Sequence, residues 1–186
     1  MKWPSLKLSF LLLAWGMMMN GCQSDDQLNA EDWFKQELIF EKAEDYVNAI
    51  NAYTKALEIN PRYAKVYQHR GTACSRQDDY EQAIIDFTEA IRLNPRHAEV
   101  YNFRGMAWSN KNKNDLAIVD FTQAIEVNPR YADAFNNRGV SWFDKGNLQQ
   151  ALADIGKALD LKPEDQRNKM AETLLETRIK NFKIEY

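Results

Sequence analysis

The chain has 186 residues, of which 45% are hydrophobic and 27% are charged, and its formal net charge is −3 at pH 7. This composition is typical of a folded globular protein and excludes a disordered or low-complexity chain. The slight acidic excess argues against nucleic acid as a partner, because phosphate binding requires a clustered basic surface.

The first 21 residues are predicted to be an export signal. Two lysines accompany an apolar run from Leu8 to Met19, about a dozen residues long, which is typical of a signal peptide and shorter than the roughly 20 residues that span a bilayer. The run is followed by Asn20-Gly21-Cys22, which resembles the lipobox of bacterial lipoproteins. The resemblance implies cleavage before Cys22 and acylation of that cysteine, so that the acyl chains hold the protein on a membrane. A plain secretory signal with an incidental cysteine is the alternative.

Residues 22–29 are polar and are expected to form a short tether. In lipoproteins of enteric bacteria, an aspartate directly after the acylated cysteine retains the protein at the inner membrane. Gln23 occupies that position here. The resemblance therefore implies an exported lipoprotein of the outer membrane that faces the periplasm.

From residue 30 onward the sequence repeats itself every 34 residues. The period is carried by four prolines, three glycines and two sets of alanines: Pro61, Pro95, Pro129 and Pro163; Gly71, Gly105 and Gly139; Ala49, Ala83, Ala117 and Ala151; Ala56, Ala90, Ala124 and Ala158. A strict period of this length predicts a stacked repeat array. We divide it into four units, residues 30–63, 64–97, 98–131 and 132–165.

Each unit contains two helical periodicities separated by a break. In the third unit Tyr101, Gly105 and Trp108 recur at helical spacing, and Ala117 and Phe121 begin a second such face. The breaks place Asp78, Asn112 and Gly146 at one equivalent position, where glycine and asparagine favour the left-handed conformation that ends a helix. The sequence therefore predicts an all-α fold of four helix hairpins.

The repeated residues resemble the tetratricopeptide repeat, or TPR, family. The family's large position is filled here by Trp33, Tyr67, Tyr101 and Phe135, and its aromatic position by Phe40, Cys74, Trp108 and Trp142. The position between the paired alanines of the second helix is filled by Tyr53, Phe87, Phe121 and Ile155. The resemblance implies an α-solenoid whose inner surface is lined by the first helix of each unit. Residues 166–186 form one further amphipathic segment, expected to be a C-terminal helix that caps the array. The alternative is an interaction helix that pairs two copies or docks a partner.

The resemblance also places a peptide-binding groove on the first helices. The candidate groove residues are Phe34, Leu38, Gln68, His69, Thr72, Asn102, Phe103, Met106, Asn136, Asn137, Val140 and Phe143. Amides suit the backbone of an extended or helical peptide, and exposed rings and a methionine suit its side chains. Chaperone-binding TPRs instead hold a terminal carboxylate with lysines, asparagines and an arginine. The matching positions here lack that set, so we expect no carboxylate clamp.

The sequence offers no pattern typical of catalysis, metal binding or cofactor binding. His69 and His97 lie on different predicted elements, and the sequence has neither a Cys/His metal spacing nor a glycine-rich phosphate loop, so we expect no metal, no cofactor and no enzyme. Cys74 is expected to be a small buried residue. The carboxylates are expected to be solvated. Three arginines, Arg70, Arg104 and Arg138, either pack their stems and extend their charged groups into solvent or form a functional row.

These observations predict a lipid-anchored scaffold or adaptor that binds a peptide or protein in its groove at the bacterial cell envelope. The alternative is a structural component that self-associates through the C-terminal helix. The sequence does not specify the oligomeric state.

Overall fold

The computed structural model describes residues 29–32, 34, 45–166, 169–170, 172–173 and 177. These residues form helices and contain no strand, which confirms the all-α prediction. Seven helices have defined bounds: α1 Tyr46–Ile59, α2 Ala64–Arg76, α3 Tyr80–Leu93, α4 Ala98–Asn110, α5 Asn114–Val127, α6 Ala132–Asp144 and α7 Leu148–Leu161. The predicted export signal, Cys22 and most of residues 166–186 lie outside the described residues.

Consecutive helices pack as hairpins. The most extensive contacts are within the pairs α2 with α3, α4 with α5, and α6 with α7, and adjacent hairpins meet through α3 with α4 and α5 with α6. We call α2, α4 and α6 the first helices and α1, α3, α5 and α7 the second helices. Among the helices with defined bounds, each hairpin contacts only its neighbours in the chain, as expected for a solenoid.

The ends of the second helices follow from short polar motifs. Asp79 Oδ1 accepts a hydrogen bond from the backbone N–H of Gln82 at 3.1 Å, which caps the start of α3. Asn94 is the C-cap of the same helix, and its N–H donates to the carbonyl of Ala90 at 2.9 Å. Pro95 follows and disfavours a further helical residue at Asn94. The Asn-Pro pair recurs at the ends of α1 and α5.

The turns inside the hairpins contain the predicted left-handed residues. Asp78, Asn112 and Gly146 have φ values of 59°, 57° and 78°, which confirms their assignment to one equivalent position. At each of them a six-residue turn closes the first helix; for example, the N–H of Lys113 donates to the carbonyl of Trp108 at 2.9 Å.

Close packing inside each hairpin depends on the repeated glycines. A Cβ atom added to Gly71 would lie 2.8 Å from Phe87 Cε1, and one added to Gly105 would lie 2.6 Å from Phe121 Cε1. Both distances are too short for a real contact, so only glycine allows the second-helix ring to lie against the first helix. Phe87, Phe121 and Ile155 fill these crossings, and Tyr53 occupies the equivalent position in α1; all four are fully buried.

The contacts between hairpins define the curvature of the array. Successive first helices contact one another, α2 with α4 and α4 with α6, and no comparable contact joins successive second helices among the elements with defined bounds. The array therefore curves toward the first helices, which line its inner surface. No helix among the described residues has both the length and the apolar character needed to cross a membrane.

Candidate functional site

The inner surface carries most of the predicted groove residues. Nine of them occupy α2, α4 and α6 and are at least partly accessible: Gln68, His69, Thr72, Phe103, Met106, Asn136, Asn137, Val140 and Phe143. Met106 and Val140 are the most exposed apolar members, at 42% and 38%. Leu38 lies outside the described residues. The groove therefore presents amides beside apolar side chains that water reaches.

Phe34 differs from the expectation of an exposed groove aromatic. Its exposure is 6%, and its ring lies 5.2 Å from the ring of His69 in an edge-on arrangement and 5.7 Å from the ring of Tyr63. Lys65 Nζ covers it from outside, 5.0 Å from the ring centroid. Phe34 is buried because it fills the space between the first unit and α2, so it belongs to the core.

Asn102 also differs from the expectation of an accessible groove residue, because its side chain forms hydrogen bonds within the protein. It is 3% exposed, and its Oδ1 accepts a hydrogen bond from Asn137 Nδ2 at 3.0 Å. Its Nδ2 points at Met106 Sδ, 3.6 Å away, and its side chain also bonds Tyr131. Burial raises the pKa of Tyr131 to about 12, so its phenol stays protonated at neutral pH. Asn102 therefore fixes α6 against α4.

A cleft of about 240 Å³ opens between α2 and α4 at their C-terminal halves. Its apolar wall contains Phe103, Met106 and the buried Phe87, and the rings of Phe87 and Phe103 stack with centroids 5.9 Å apart. Its polar rim includes Thr72 and Arg76. The volume lies below the roughly 300–1,000 Å³ typical of small-molecule sites. It therefore suits a single large side chain.

A second, wider recess of about 620 Å³ lies between the N-terminal ends of the same two helices. It brings together Lys65, His69 and His97, although the histidines belong to different elements, and His97 Nε2 lies 3.5 Å from Glu99 Oε2. Within the part of the chain that the structure describes, no three histidine, cysteine or acidic side chains converge in a manner suited to a metal ion. The recess is a polar extension of the groove.

The three repeated arginines neither extend their charged groups into solvent nor form a free row. Arg70 Nε and Nη2 donate to the two carboxylate oxygens of Asp86, both at 2.8 Å, and its Nη1 donates to Thr54 Oγ1 at 3.1 Å. Asp86 is 0% exposed. The hydrogen bond that Arg70 donates to Asp86 is the main cause that raises the pKa of Arg70. The expectation that the carboxylates are solvated is therefore wrong at this position.

The same arrangement recurs in the next two units. Arg104 joins Thr88 to Asp120, and Arg138 joins Thr122 to Asp154, with N to O distances of 2.7 to 3.0 Å. Both neighbours of each arginine are 16 residues away in sequence. We call these three groups the Thr-Arg-Asp ladder. Each rung ties a first helix to its own second helix and to the preceding second helix.

The ladder has sequence signals that were missed. Its three aspartates and three threonines follow the 34-residue period, at a constant offset from the arginines. The period also shows where the ladder ends, because Gly156 and Glu172 occupy the next threonine and arginine positions. Buried partners explain the arginines without a binding role.

Cys74 is buried as predicted, with 2% exposure in the core beside Phe87. Burial raises the pKa of its thiol to about 11. The thiolate, which is the reactive form, is therefore scarce at neutral pH.

Solved structures show the same fold. MamA residues 41 to the end, from Desulfovibrio magneticus RS-1, align with a TM-score of 0.76 at 17% identity, covering 83% of this chain and 88% of that one. A tetratricopeptide repeat protein from Parabacteroides merdae aligns with a TM-score of 0.73 at 21% identity, covering 83% and 61%. The second TPR domain of human RPAP3, solved with the HSP70 peptide SGPTIEEVD, aligns with a TM-score of 0.57 at 28% identity, covering 59% and 92%.

No curated protein sequence matches this chain. Two sequence models that share the description tetratricopeptide repeat match it in alternating segments, one over residues 64–97 and 132–165 and the other over residues 38–63 and 98–131. Together these segments run from residue 38 to residue 165 without a gap, which is more than half of the chain. The chain therefore belongs to the tetratricopeptide repeat family.

Proposed function

We propose that this protein is a scaffold or adaptor that binds an extended segment of a partner protein in its inner groove, while lipids on Cys22 hold it at the bacterial cell envelope. TPR domains commonly bind peptides or proteins, and the fold is typically non-enzymatic. The observation that carries the groove proposal is the row of apolar side chains on α4 and α6 that remain open to water between amide groups.

The exposed members of this row support a binding surface. Met106 and Val140 are 34 residues apart, so they occupy the same position in successive units, and both project from the inner surface. Phe103 and Phe143 on the same helices are half-buried. Burying such side chains against a partner contributes about 25 cal/mol per Å² of apolar surface, and the partly accessible Gln68 amide can bond a peptide backbone.

The partner differs in class from the chaperone tails bound by two structural neighbours. One neighbour is the first TPR of Spaghetti (RPAP3) with the HSP90 peptide SRMEEVD, and the other is the RPAP3 domain with its HSP70 peptide. The clamp positions of this chain, taken from the second unit onward, hold Gln68, Thr72, Phe103, Asp133 and Asn137. Without a lysine or arginine at these positions, a terminal carboxylate finds no charged partner there.

The groove is tested by affinity capture with the full chain in mild detergent, comparing variants that add a charge. Met106→Asp and Val140→Asp should abolish partner recovery, because a carboxylate is placed where apolar contact is expected. The matched controls are Ile85→Asp and Val119→Asp, which change side chains that are 56% and 59% exposed on the second helices. Equal loss in all four variants would contradict the groove proposal.

The envelope location is supported by the sequence of residues 1–23 alone. Acyl chains contribute about 0.8 kcal/mol of membrane affinity per buried methylene, so two or more chains anchor a protein stably. Mass spectrometry of the mature N-terminal peptide should show an acylated Cys22 and no residue before it. A free thiol at Cys22, or cleavage at another bond, would contradict the anchor and leave the groove proposal standing.

Self-association through residues 166–186 is the second candidate. Met170 lies in this segment and is 70% exposed, which leaves a large apolar side chain open to a second copy. Light scattering over a range of concentrations tests it. A concentration-dependent dimer that Met170→Asp dissociates supports self-association, and a constant monomer contradicts it.

A further inference from the structure

The cleft between α2 and α4 differs from the equivalent position in the next unit. Moving 34 residues along the chain replaces Phe103 by Asn137, Met106 by Val140 and Arg76 by Asn110. It also replaces Asn110, on the opposite rim, by Asp144. The repeat therefore supplies an internal comparison: Phe87 and Phe121 fill the same position in both units, but the first has a second ring and a basic rim, whereas the second has an amide and an acidic rim.

The apolar part of the cleft is preformed. Phe87 is 1% exposed and is held by the close approach of Gly71, and Phe103 stacks on it. Met106 lies at the open side and adds a flexible, polarisable side chain. A large aliphatic or aromatic side chain entering this space would displace water from the Phe103 ring and the Met106 thioether.

Arg76 supplies a charge at the rim of the same cleft. It is exposed in the last turn of α2, and no ion pair joins it to another described residue. The acidic residues nearest in sequence are engaged elsewhere. Asp78 Oδ1 accepts from the Tyr80 hydroxyl at 2.5 Å, and Asp79 Oδ1 caps α3. By contrast, Arg70, Arg104 and Arg138 each bind a buried aspartate, as described above.

We propose that this cleft selects the partner. It takes one large apolar side chain, Leu, Met or Phe, from an extended segment in which a neighbouring Asp or Glu side chain pairs with Arg76. This inference rests on the proposed groove function and names the chemistry of its ligand. A side-chain carboxylate is the source because the clamp positions for a terminal carboxylate are uncharged or acidic.

The test is selection from a phage-displayed library of random 12-residue peptides against the full chain in mild detergent, with the library built in two forms. In one form constant residues of the displayed fusion flank the random segment on both sides. In the other form the random segment ends at a free carboxyl terminus. We expect enrichment of a large apolar residue beside Asp or Glu in both forms. Enrichment confined to free carboxyl termini contradicts the side-chain assignment, and enrichment without an acidic residue contradicts the role of Arg76.

The enriched peptide is then measured by fluorescence polarisation against paired variants. Arg76→Glu should weaken binding by about three- to tenfold, because an exposed ion pair is replaced by like-charge repulsion. Replacing the peptide acid with lysine should restore binding to this variant. Arg130→Glu makes the same charge change in an exposed loop outside the groove and should have no effect. Met106→Ala should weaken binding, and Leu116→Ala, on a second helix, should not.

The outcomes separate the two proposals. If the selected peptide is lost with Val140→Asp but binds normally to Arg76→Glu and Met106→Ala, the cleft does not select the partner and the groove function stands. If no peptide is enriched in either form, or none is sensitive to a groove variant, both proposals are contradicted.

Discussion

Removing the arginine from the first rung of the Thr-Arg-Asp ladder should destabilise the protein more than removing its aspartate. The reason is the difference in solvent access of the two side chains. Asp86 has 0% side-chain exposure, whereas Arg70 retains 16%. Each substitution leaves the other charge without its partner, and the cost depends on whether water can reach the charge that remains.

The magnitudes follow from what each variant leaves behind. Arg70→Ala leaves a buried carboxylate whose remaining hydrogen bond comes from Gln82 Nε2 at 3.2 Å. Breaking a buried pair in this way costs about 3–5 kcal/mol. Asp86→Ala leaves a guanidinium that water reaches, that still donates to Thr54 and that lies 5.8 Å from the Tyr67 ring, so we expect about 1–3 kcal/mol.

Urea unfolding followed by circular dichroism measures both costs, and an unchanged m-value shows that the same surface is exposed in each variant. Lys145→Ala is the control, since it removes an ion pair with Asp115, whose side chain is 82% exposed. Such a pair contributes about 0–1 kcal/mol. The reasoning fails if Arg70→Ala costs no more than Lys145→Ala, or if Asp86→Ala costs more than Arg70→Ala.

Three further predictions concern the core and the turns. Gly105→Ala should lower the free energy of unfolding by about 1–3 kcal/mol, because the added carbon overpacks against Phe121. Gly156→Ala should not lower it, because no atom lies within 4 Å of the added carbon. Thermal unfolding compares the two variants. Gly146→Ala should cost about 1 kcal/mol in the same assay, because its φ is 78°. Cys74 should react with a thiol reagent only after urea is added, since burial raises its pKa to about 11. Because that pKa is raised in the folded state, stability should fall as the pH increases toward this value.

The sequence was sufficient for the architecture because the architecture is periodic. Each hairpin repeats the same crossing, so Gly71 and Phe87 recur as Gly105 and Phe121, and any one unit supports the interpretation of the others. The left-handed position was predictable for the same reason. Gly146 and Asn112 identify it, and Asp78 follows by register although aspartate alone gives a weaker signal.

The groove was less predictable because its side chains meet across unit boundaries. Asn102 and Asn137 occupy different positions in their units, and their hydrogen bond depends on the offset between hairpins, which the period alone does not specify. Phe34 is buried through the same two positions as Asn102, since His69 and Tyr63 are the repeat equivalents of Asn137 and Tyr131. The ladder was predictable in principle, since the spacing of Thr54, Arg70 and Asp86 is constant along the chain.

The Thr-Arg-Asp ladder also bears on how such a chain changes length. Each rung takes its threonine from the preceding unit and its arginine and aspartate from its own. A tandem copy of residues 98–131 would therefore bring Arg104 and Asp120 with it, use the existing Thr122, and supply a new threonine to Arg138. Duplication of a whole unit leaves every arginine paired with an aspartate. Gain or loss of a single helix of a hairpin separates an arginine from its aspartate. The ion pairs thus restrict growth of the array to complete 34-residue steps.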